Sequence, residues 1–166
     1  LFIDDYIIAE MQDVKQVLNQ PRKHPLNPLV AADRPWEGAG VYYPQTTYDE
    51  NEGVFTMYYK ANCPDWGAVR VCRADSKDGI HWEKPNLGLV EFQGSRDNNI
   101  VLLNASSGNV VYDGRDPDPA RRYKSLFFES REKDGTSNEG DGFSVGFSPD
   151  GLNWVKYEGN PVSKRS

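Results

Sequence analysis

Four carboxylic acids stand where this sequence could support acid–base chemistry: Asp4, Asp5, Glu37 and Asp113. A carboxyl group can give a proton and a carboxylate can take one, so two of them held together can act as acid and base. Each also has a structural alternative. Asp113 opens the segment 113–119, where Asp and Gly favour turns. Glu37 could be a buried acid paired with an arginine, and the Asp4–Asp5 pair could cap a turn.

Other reactive residue types are few. The two histidines, His24 and His81, do not stand in a metal-ligand spacing, and two cysteines are too few for a four-cysteine zinc site. The sequence has no phosphate-binding loop, dinucleotide fingerprint or G-x-S-x-G motif. We therefore expect neither a metal nor a cofactor. Cys63 and Cys72 lie around a predicted hairpin, which leaves two alternatives for this pair. They could form a cross-strand disulfide, or they could be two partly buried free thiols.

Charge and hydropathy exclude several classes of protein. The chain has 166 residues, of which 19 are basic and 25 acidic, giving a formal net charge of −6. Nucleic-acid binders and proteins held on anionic lipid need a basic surface, which this balance does not offer. No apolar run approaches the roughly 20 residues of a membrane-spanning helix. Aromatic residues make up 12% of the chain and recur along its length, which favours a folded core.

The candidate side chains must be positioned by strands, which the sequence pattern predicts along most of the chain. The β-rich runs 41–48 and 54–59 flank a short polar segment with Gly53, a pattern that predicts a hairpin. Segment 68–74 alternates with a period of two and predicts a third strand. A second set of strands is expected at 109–112, 123–129 and 143–147. The one helix candidate, 9–19, is short and uncapped, so a strand or irregular edge is equally compatible with it.

An internal repeat organises these strands. The motif S-x-D-G-x-x-W occurs at 76–82 and again at 148–154. The strand at 69–74 corresponds to 143–147, and we place 55–59 opposite 127–129. Units of about four strands at a fixed period predict propeller blades. Asp in such a turn can bond backbone N–H groups and Gly can take a positive φ, so we interpret the motif as architecture, with both tryptophans equivalent and largely buried.

Six further segments carry a resemblance to a known family: F-I-D-D-Y, R-P-W-E-G, Y-D-E-x-E-G-x-F, S-K-D-G-I-H-W-E-K-P, D-N-N-I-V and R-Y-K, in that order. Together they resemble the N-terminal part of bacterial proteins of the five-bladed β-propeller glycosidase superfamily, which includes glycoside hydrolase families 32 and 43. The resemblance implies an all-β fold and a partial five-bladed propeller. We expect N-terminal strands in 1–36, a first blade at about 37–90 and a second at about 100–166.

The resemblance also implies where catalytic groups would lie. Glycosidases use two carboxyl groups about 5 to 9 Å apart. In these propellers the groups come from the innermost strands, so we expect Asp113, Glu37 and Asp5 as catalytic candidates at an axial funnel. Trp36, Tyr42 and Asp4 are the matching substrate-binding candidates, since an aromatic ring can stack on a sugar face.

The expected function is hydrolysis of glycosidic bonds in a poly- or oligosaccharide. The resemblance implies carbohydrate and the remaining blades as partners, and a secreted or periplasmic location in a bacterium. A non-catalytic carbohydrate-binding propeller and a structural propeller domain are the alternatives. Two blades alone would leave one face of each end sheet without a neighbour, so we expect this chain to aggregate, self-associate or be poorly stable, and to be inactive by itself.

Overall fold

Strands dominate the part of the chain that the structure describes. A computed structural model describes residues 6–62, 69–103, 106–129 and 142–164. These ranges contain no α-helix, and the 3₁₀ turns Pro35–Glu37 and Pro119–Arg121 are the helical segments there. The strands are β1 (Gly40–Asp49), β2 (Val54–Asn62), β3 (Val69–Ser76), β4 (Ile100–Leu103), β5 (Ser106–Tyr112), β6 (Tyr123–Glu129), β7 (Gly142–Ser148), β8 (Val155–Lys156) and β9 (Ser163–Lys164). The predicted all-β class is confirmed.

The first sheet has the antiparallel order β1-β2-β3-β4. The predicted hairpin is confirmed, because Asp49 pairs with Val54 across the β1–β2 turn. Gly53 in this turn has a φ of 64°, a conformation that glycine adopts without steric cost. Strand β4 closes the sheet at Ile100–Leu103. The first sheet therefore extends past residue 90, where its end was expected from the sequence.

The second sheet repeats this arrangement. Strands β5, β6 and β7 pair antiparallel in that order, and the two short strands β8 and β9 both pair with β7. Lys156 of β8 lies opposite Gly146, and Lys164 of β9 lies opposite Gly142. The fourth position of this sheet is thus filled by two short pieces instead of one continuous strand.

The repeated turn has the same hydrogen bonds in both sheets. Asp78 Oδ1 accepts the N–H groups of residues 80 and 81 at 2.8 Å, and Asp150 Oδ1 accepts those of residues 152 and 153 at 2.9 and 2.8 Å. The indole N–H of Trp82 donates to the carbonyl of residue 79 at 3.1 Å, and that of Trp154 to residue 151 at 3.0 Å. The predicted equivalence is confirmed. Both tryptophans are mostly buried, as predicted, and each packs against an apolar core.

The second strands align differently from the sequence prediction. Ser76 pairs with Phe55, and the equivalent Ser148 pairs with Tyr123. Phe55 therefore corresponds to Tyr123, and the alignment of 55–59 with 127–129 is wrong. The connection between the second and third strands is longer in the second unit, so the constant offset holds only downstream of it.

Two apolar cores lie on opposite faces of the first sheet. One fills the space between the sheets and contains Tyr58, Val71, Val101, Val110 and Phe127, with Trp154 packed against it. The other contains the next residue of β2, Tyr59, together with Ala61, Cys72, Ala74 and Ile100. Successive side chains of a strand point to opposite faces, which accounts for the separation of Tyr58 from Tyr59.

The second core is covered by chain that comes before β1 and after β3. Val30, Trp36 and Val41 pack on it from one side, and Val90 and Phe92 from the other. Upstream of this cover, the described segment 6–34 has neither helix nor strand, so the helix candidate at 9–19 does not form. In the described ranges, no helix is long and apolar enough to cross a membrane.

Candidate functional site

A cleft opens between the two sheets at the end where β1 and β5 terminate. Its volume is about 920 Å³. The first sheet supplies most of its lining, and Tyr112, Tyr123 and Asp150 come from the second sheet. Clefts of this size, with aromatic walls and a few placed polar groups, are typical of small-molecule sites.

Two equivalent aromatic pairs lie at this end of the two sheets; Tyr48, Tyr112 and Tyr123 line the cleft, and Phe55 does not. Tyr48 at the end of β1 lies across from Phe55, with ring centroids 4.5 Å apart, and Tyr112 at the end of β5 lies across from Tyr123 at 4.9 Å. Tyr48 and Tyr112 are both about half exposed, so a face of each ring is open to solvent. Exposed phenol rings combine an apolar face with a polar hydroxyl, which suits a sugar ring.

An ion pair lies on the floor of the cleft. Arg73 Nε is 2.8 Å from Asp75 Oδ1, and the hydroxyl of Thr56 donates to the same oxygen at 3.0 Å. Burial alone would lower the pKa of Arg73, but its hydrogen bond and charge interaction with Asp75 raise the pKa overall. Burial raises the pKa of Tyr58, which lies beside this pair, so its hydroxyl keeps its proton. The floor thus offers hydrogen-bond donors and acceptors with fixed positions.

Glu37 lies outside this cleft, in a buried hydrogen-bond network. Its Oε2 accepts the backbone N–H groups of Asp33 and Arg34, each at 2.9 Å. Its Oε1 accepts the hydroxyl of Tyr59 at 2.6 Å and lies 2.7 Å from Lys84 Nζ. The side chain is fully buried. From the sequence, Glu37 was expected at an open funnel. In the structure its carboxylate is surrounded by hydrogen-bond donors and is closed off from solvent.

The rest of this network joins the family-like motifs to one another. Asn99 donates from Nδ2 to the Tyr59 hydroxyl at 2.7 Å, and its Oδ1 accepts the indole N–H of Trp36 at 2.7 Å. Trp36 thereby packs edge-on against Phe92, with ring centroids 6.2 Å apart. Three of the family-like motifs therefore meet at one place on the first sheet: R-P-W-E, W-E-K-P and D-N-N-I. Their common role there is to hold the segment before β1 on that sheet.

Asp113 lies in the turn that follows β5, not at the start of a strand. Its Oδ1 accepts the N–H of Arg115 at 3.1 Å, and its Oδ2 is 2.6 Å from Lys124 Nζ. Lys124 is also 2.9 Å from Asp116. The hydrogen bond from Lys124 is the largest influence on Asp113 and lowers its pKa. The side chain remains accessible, so Asp113 is a solvent-facing carboxylate that is ionised at neutral pH.

The sequence candidates do not converge in the described structure. Neither Glu37 nor Asp113 lines the cleft, and each bonds to a different lysine, Glu37 to Lys84 and Asp113 to Lys124. Tyr42 is exposed on β1 next to Tyr43, with ring centroids 6.5 Å apart, and does not line the cleft. Asp4 and Asp5 lie outside the described residues. The catalytic and substrate-binding roles of all six candidates stay predictions.

Metal and thiol chemistry find no support in the described ranges. No group of three or more His, Cys, Asp or Glu side chains there could hold a metal ion. Within the described ranges Cys72 is buried and has no disulfide partner, and burial is the main cause that raises the pKa of its thiol to about 12, which disfavours the reactive thiolate. Cys63 lies outside the described residues, so the alternatives for the pair stay open.

The residues that build the cleft were not predicted from the sequence. No functional role was assigned to five of them: Tyr48, Arg73, Asp75, Tyr112 and Tyr123. A signal for them exists, because each unit has an aromatic residue on both sides of its first hairpin turn. The cross-strand pairing of those aromatics could have been expected once the hairpins were aligned.

Comparison with known proteins supports the fold. No protein-family model matches this chain, and no curated protein sequence matches it. Exo-inulinase from Aspergillus awamori matches with a TM-score of 0.53 and 19% identity over 81% of this chain and 28% of that one. A glycosyl hydrolase from Bacteroides ovatus matches with a TM-score of 0.52 and 16% identity over 81% of this chain and 40% of that one. The chain spans less than half of either structure, and it has the fold of part of a β-propeller glycosidase.

Proposed function

We propose that this chain is the N-terminal part of a five-bladed propeller that acts on glycosidic bonds of a poly- or oligosaccharide. The cleft between the two sheets is the surface at which it contacts carbohydrate. The observation that carries this proposal is that the Tyr112–Tyr123 ring pair of the second sheet lines the same cleft as the Arg73–Asp75 ion pair of the first sheet, together with the half-exposed Tyr48. The fold shared with glycoside hydrolases makes sugar the preferred ligand.

Binding can be tested on the chain directly. Titration with a panel of neutral oligosaccharides, including inulin-type fructo-oligosaccharides, followed by NMR or calorimetry, should detect an interaction. Tyr112→Ala should weaken it by about tenfold or more, since an aromatic contact contributes about 1 kcal/mol beyond its buried area. Tyr43→Ala is the matched control, because Tyr43 is an exposed tyrosine that does not line the cleft. Equal losses in both variants would contradict a site in the cleft.

Hydrolysis requires the natural protein at its full length. Asp113 is the first candidate for a catalytic carboxylate, with Glu37 and Asp5 next. Asp113→Asn should abolish release of reducing sugar without affecting folding, because the amide cannot take a proton or attack carbon. Rates must be expressed per folded molecule, since Glu37 is also part of the buried network. Full turnover by Asp113→Asn would remove this residue from the reaction.

A second candidate function is carbohydrate binding without hydrolysis. One observation favours it: the positioned acids at the cleft already have partners, Asp75 with Arg73, and Asp78 and Asp150 with their own turns. A full-length protein that binds an oligosaccharide and never cleaves it would establish this alternative. In either case we place the protein outside the bacterial cytoplasm, in the periplasm or secreted.

A further inference from the structure

A row of polar side chains crosses the first sheet at the floor of the cleft. Thr47 pairs with Thr56, and Thr56 pairs with Asp75, in the strand ladders. Asp75 in turn pairs with Glu83 through two backbone hydrogen bonds of 2.8 Å. Residues directly opposite each other in an antiparallel pair have their side chains on the same face, with Cβ atoms about 5 Å apart. The four side chains therefore form one polar row, and all of them line the cleft.

The corresponding row of the second sheet has a different composition. By the equivalence of the two repeated turns, the positions of Thr56, Asp75 and Glu83 are taken there by three other residues: Lys124, Phe147 and Val155. Both sheets have the same strand pairing and the same turn, although their rows differ. The acids of the first row are therefore not needed to build a sheet of this kind.

The two acids of the polar row differ in what neutralises them. Asp75 forms an ion pair with Arg73, whose Nε is 2.8 Å from its Oδ1. Within the residues that the structure describes, the carboxylate of Glu83 has no ion pair, and this side chain is exposed. Like charges directly opposite each other in a ladder are destabilising. The row therefore keeps one unmatched negative charge, which a bound cation would offset.

The hydroxyl of Tyr58 is a second unmatched polar group at this site. Tyr58 is 1% exposed, lines the cleft, and pairs with Arg73 on the same face as the polar row. Its hydroxyl forms no hydrogen bond with any residue of the described ranges, whereas that of its neighbour Tyr59 bonds to Glu37. Buried polar groups are almost always hydrogen-bonded. A buried hydroxyl without a partner at a cleft wall indicates that a ligand supplies one.

The charge of the whole cleft favours a cationic ligand. Seven acidic and two basic side chains line it, so its formal charge is −5, and the whole chain has −6. A cleft lined by charges of one sign raises the local concentration of ligands of the opposite sign. Sugars that carry carboxylate or sulfate groups would be repelled, because Arg73, the basic residue at the floor, is already bound to Asp75.

We propose that the polar row recognises a sugar with a free, protonated amino group, a hexosamine. An ammonium group has three N–H donors, and the carboxylates of Asp75 and Glu83 and the hydroxyl oxygen of Tyr58 are the acceptors for them. The half-exposed rings of Tyr48 and Tyr112 then contact the sugar itself. This inference rests on the proposed carbohydrate role of the cleft and names the class of sugar that the cleft selects.

Three tetrasaccharides of different charge test this selection on the natural protein at its full length. Calorimetry at pH 6 and low salt should give a dissociation constant about tenfold lower for the glucosamine tetramer than for the neutral N-acetylglucosamine tetramer, because hydrogen bonds to charged groups are the stronger ones. The anionic galacturonate tetramer should bind most weakly. Added salt should reduce the preference for the amino sugar, since exposed charges are screened.

Glu83→Gln should bring the affinities for the amino and neutral tetramers to within about threefold of each other, and Tyr58→Phe should also weaken binding of the amino tetramer. Glu91→Gln is the matched control, because it removes an exposed charge that does not line the cleft. Equal loss of preference in the Glu83 and Glu91 variants would reveal general attraction to an acidic protein and overturn the proposal. Equal binding of the amino and neutral tetramers by the wild type would overturn it and leave the carbohydrate role of the cleft intact. Binding of none of the three would contradict both.

Discussion

At the scale of single residues, the Glu37–Lys84 pair shows how a buried charge can be tolerated. Lys84 Nζ contacts both oxygens of Glu37 and also donates to the carbonyl of Ala31 at 2.6 Å. Removing two charges from water is costly, and these close contacts offset that cost only while every partner is present. The pair connects residues far apart in the sequence, so we expect its loss to release the segment before β1.

Glu37→Gln should lower the free energy of unfolding by about 3 kcal/mol, because it removes the buried counter-charge of Lys84 and leaves only the exposed carboxylate of Asp33, 2.6 Å from Nζ. Chemical denaturation followed by tryptophan fluorescence measures this change. Glu91→Gln is the control, since Glu91 is exposed and should tolerate the same substitution. Equal effects of the two changes would contradict a structural role for Glu37.

Because of the repeated turns, the stability of the folded protein should change with pH in the acid range. Burial alone would raise the pKa of Asp150, but hydrogen bonds from Asn153, Leu152 and Ser148 outweigh it and hold the pKa at about 2. A carboxylate whose folded pKa is depressed contributes stability above its ordinary value of 3.8, and this is lost as the pH falls toward 2. Thermal melts from pH 5 to pH 2 should fall less steeply for Asp150→Asn than for the wild type. Parallel curves would exclude this contribution.

At the scale of elements, the turn glycines have similar backbones but different surroundings. Gly79 and Gly151 have φ values of 74° and 71°, which an L side chain rarely adopts. A Cβ at Gly79 would meet only the ring of Phe55 at 3.8 Å. A Cβ at Gly151 would collide with the hydroxyl of Tyr58. The second turn is therefore also part of the contact between the sheets.

Gly79→Ala and Gly151→Ala should destabilise unequally. Both should cost about 1–2 kcal/mol for the left-handed backbone. Gly151→Ala should cost more, because the new methyl group displaces Tyr58, and Tyr58→Phe in that background should restore part of the loss by removing the hydroxyl. Equilibrium unfolding of the three variants measures this difference. The same loss for both alanines would show that Tyr58 does not constrain the turn.

At the scale of the whole molecule, one core joins both sheets and one face stays open. Val110 and Val111 are consecutive in β5, yet Val110 is buried between the sheets and Val111 is exposed on the face that points away from the first sheet. This contrast makes the two valines a matched pair. They report separately on the core between the two sheets and on the outer face of the second sheet.

In the chain alone, Val110→Ala should lower the free energy of unfolding by about 1–3 kcal/mol, because it creates a cavity in the shared core. Val111→Ala should change it by less than about 0.5 kcal/mol, as expected for an exposed position. Hydrogen exchange should show that Val110→Ala weakens protection in both sheets. Loss of protection in the second sheet alone would mean that the two sheets fold independently.

Local structure in this protein follows from short stretches of sequence. The hairpin between β1 and β2 was predictable because alternating side chains and a nearby glycine specify it within a short segment. The turns at Asp78 and Asp150 were predictable for the same reason, since each carboxylate bonds N–H groups two and three residues away. The resemblance of the ordered motifs added the propeller fold, which the comparison of structures supports.

The surroundings of each chemical group depend on contacts between distant parts of the chain. Glu37 is buried because Tyr59 and Lys84 reach it from distant parts of the chain, and no local pattern encodes their meeting. Asp113 lies after β5 because the register with β6 ends at Tyr112, and strand register depends on pairing across the sheet. The cleft exists because the packing of two sheets brings Tyr48 and Tyr112 to the same end of the molecule. Contacts of this kind depend on how the two sheets pack, which the period of a repeat does not specify.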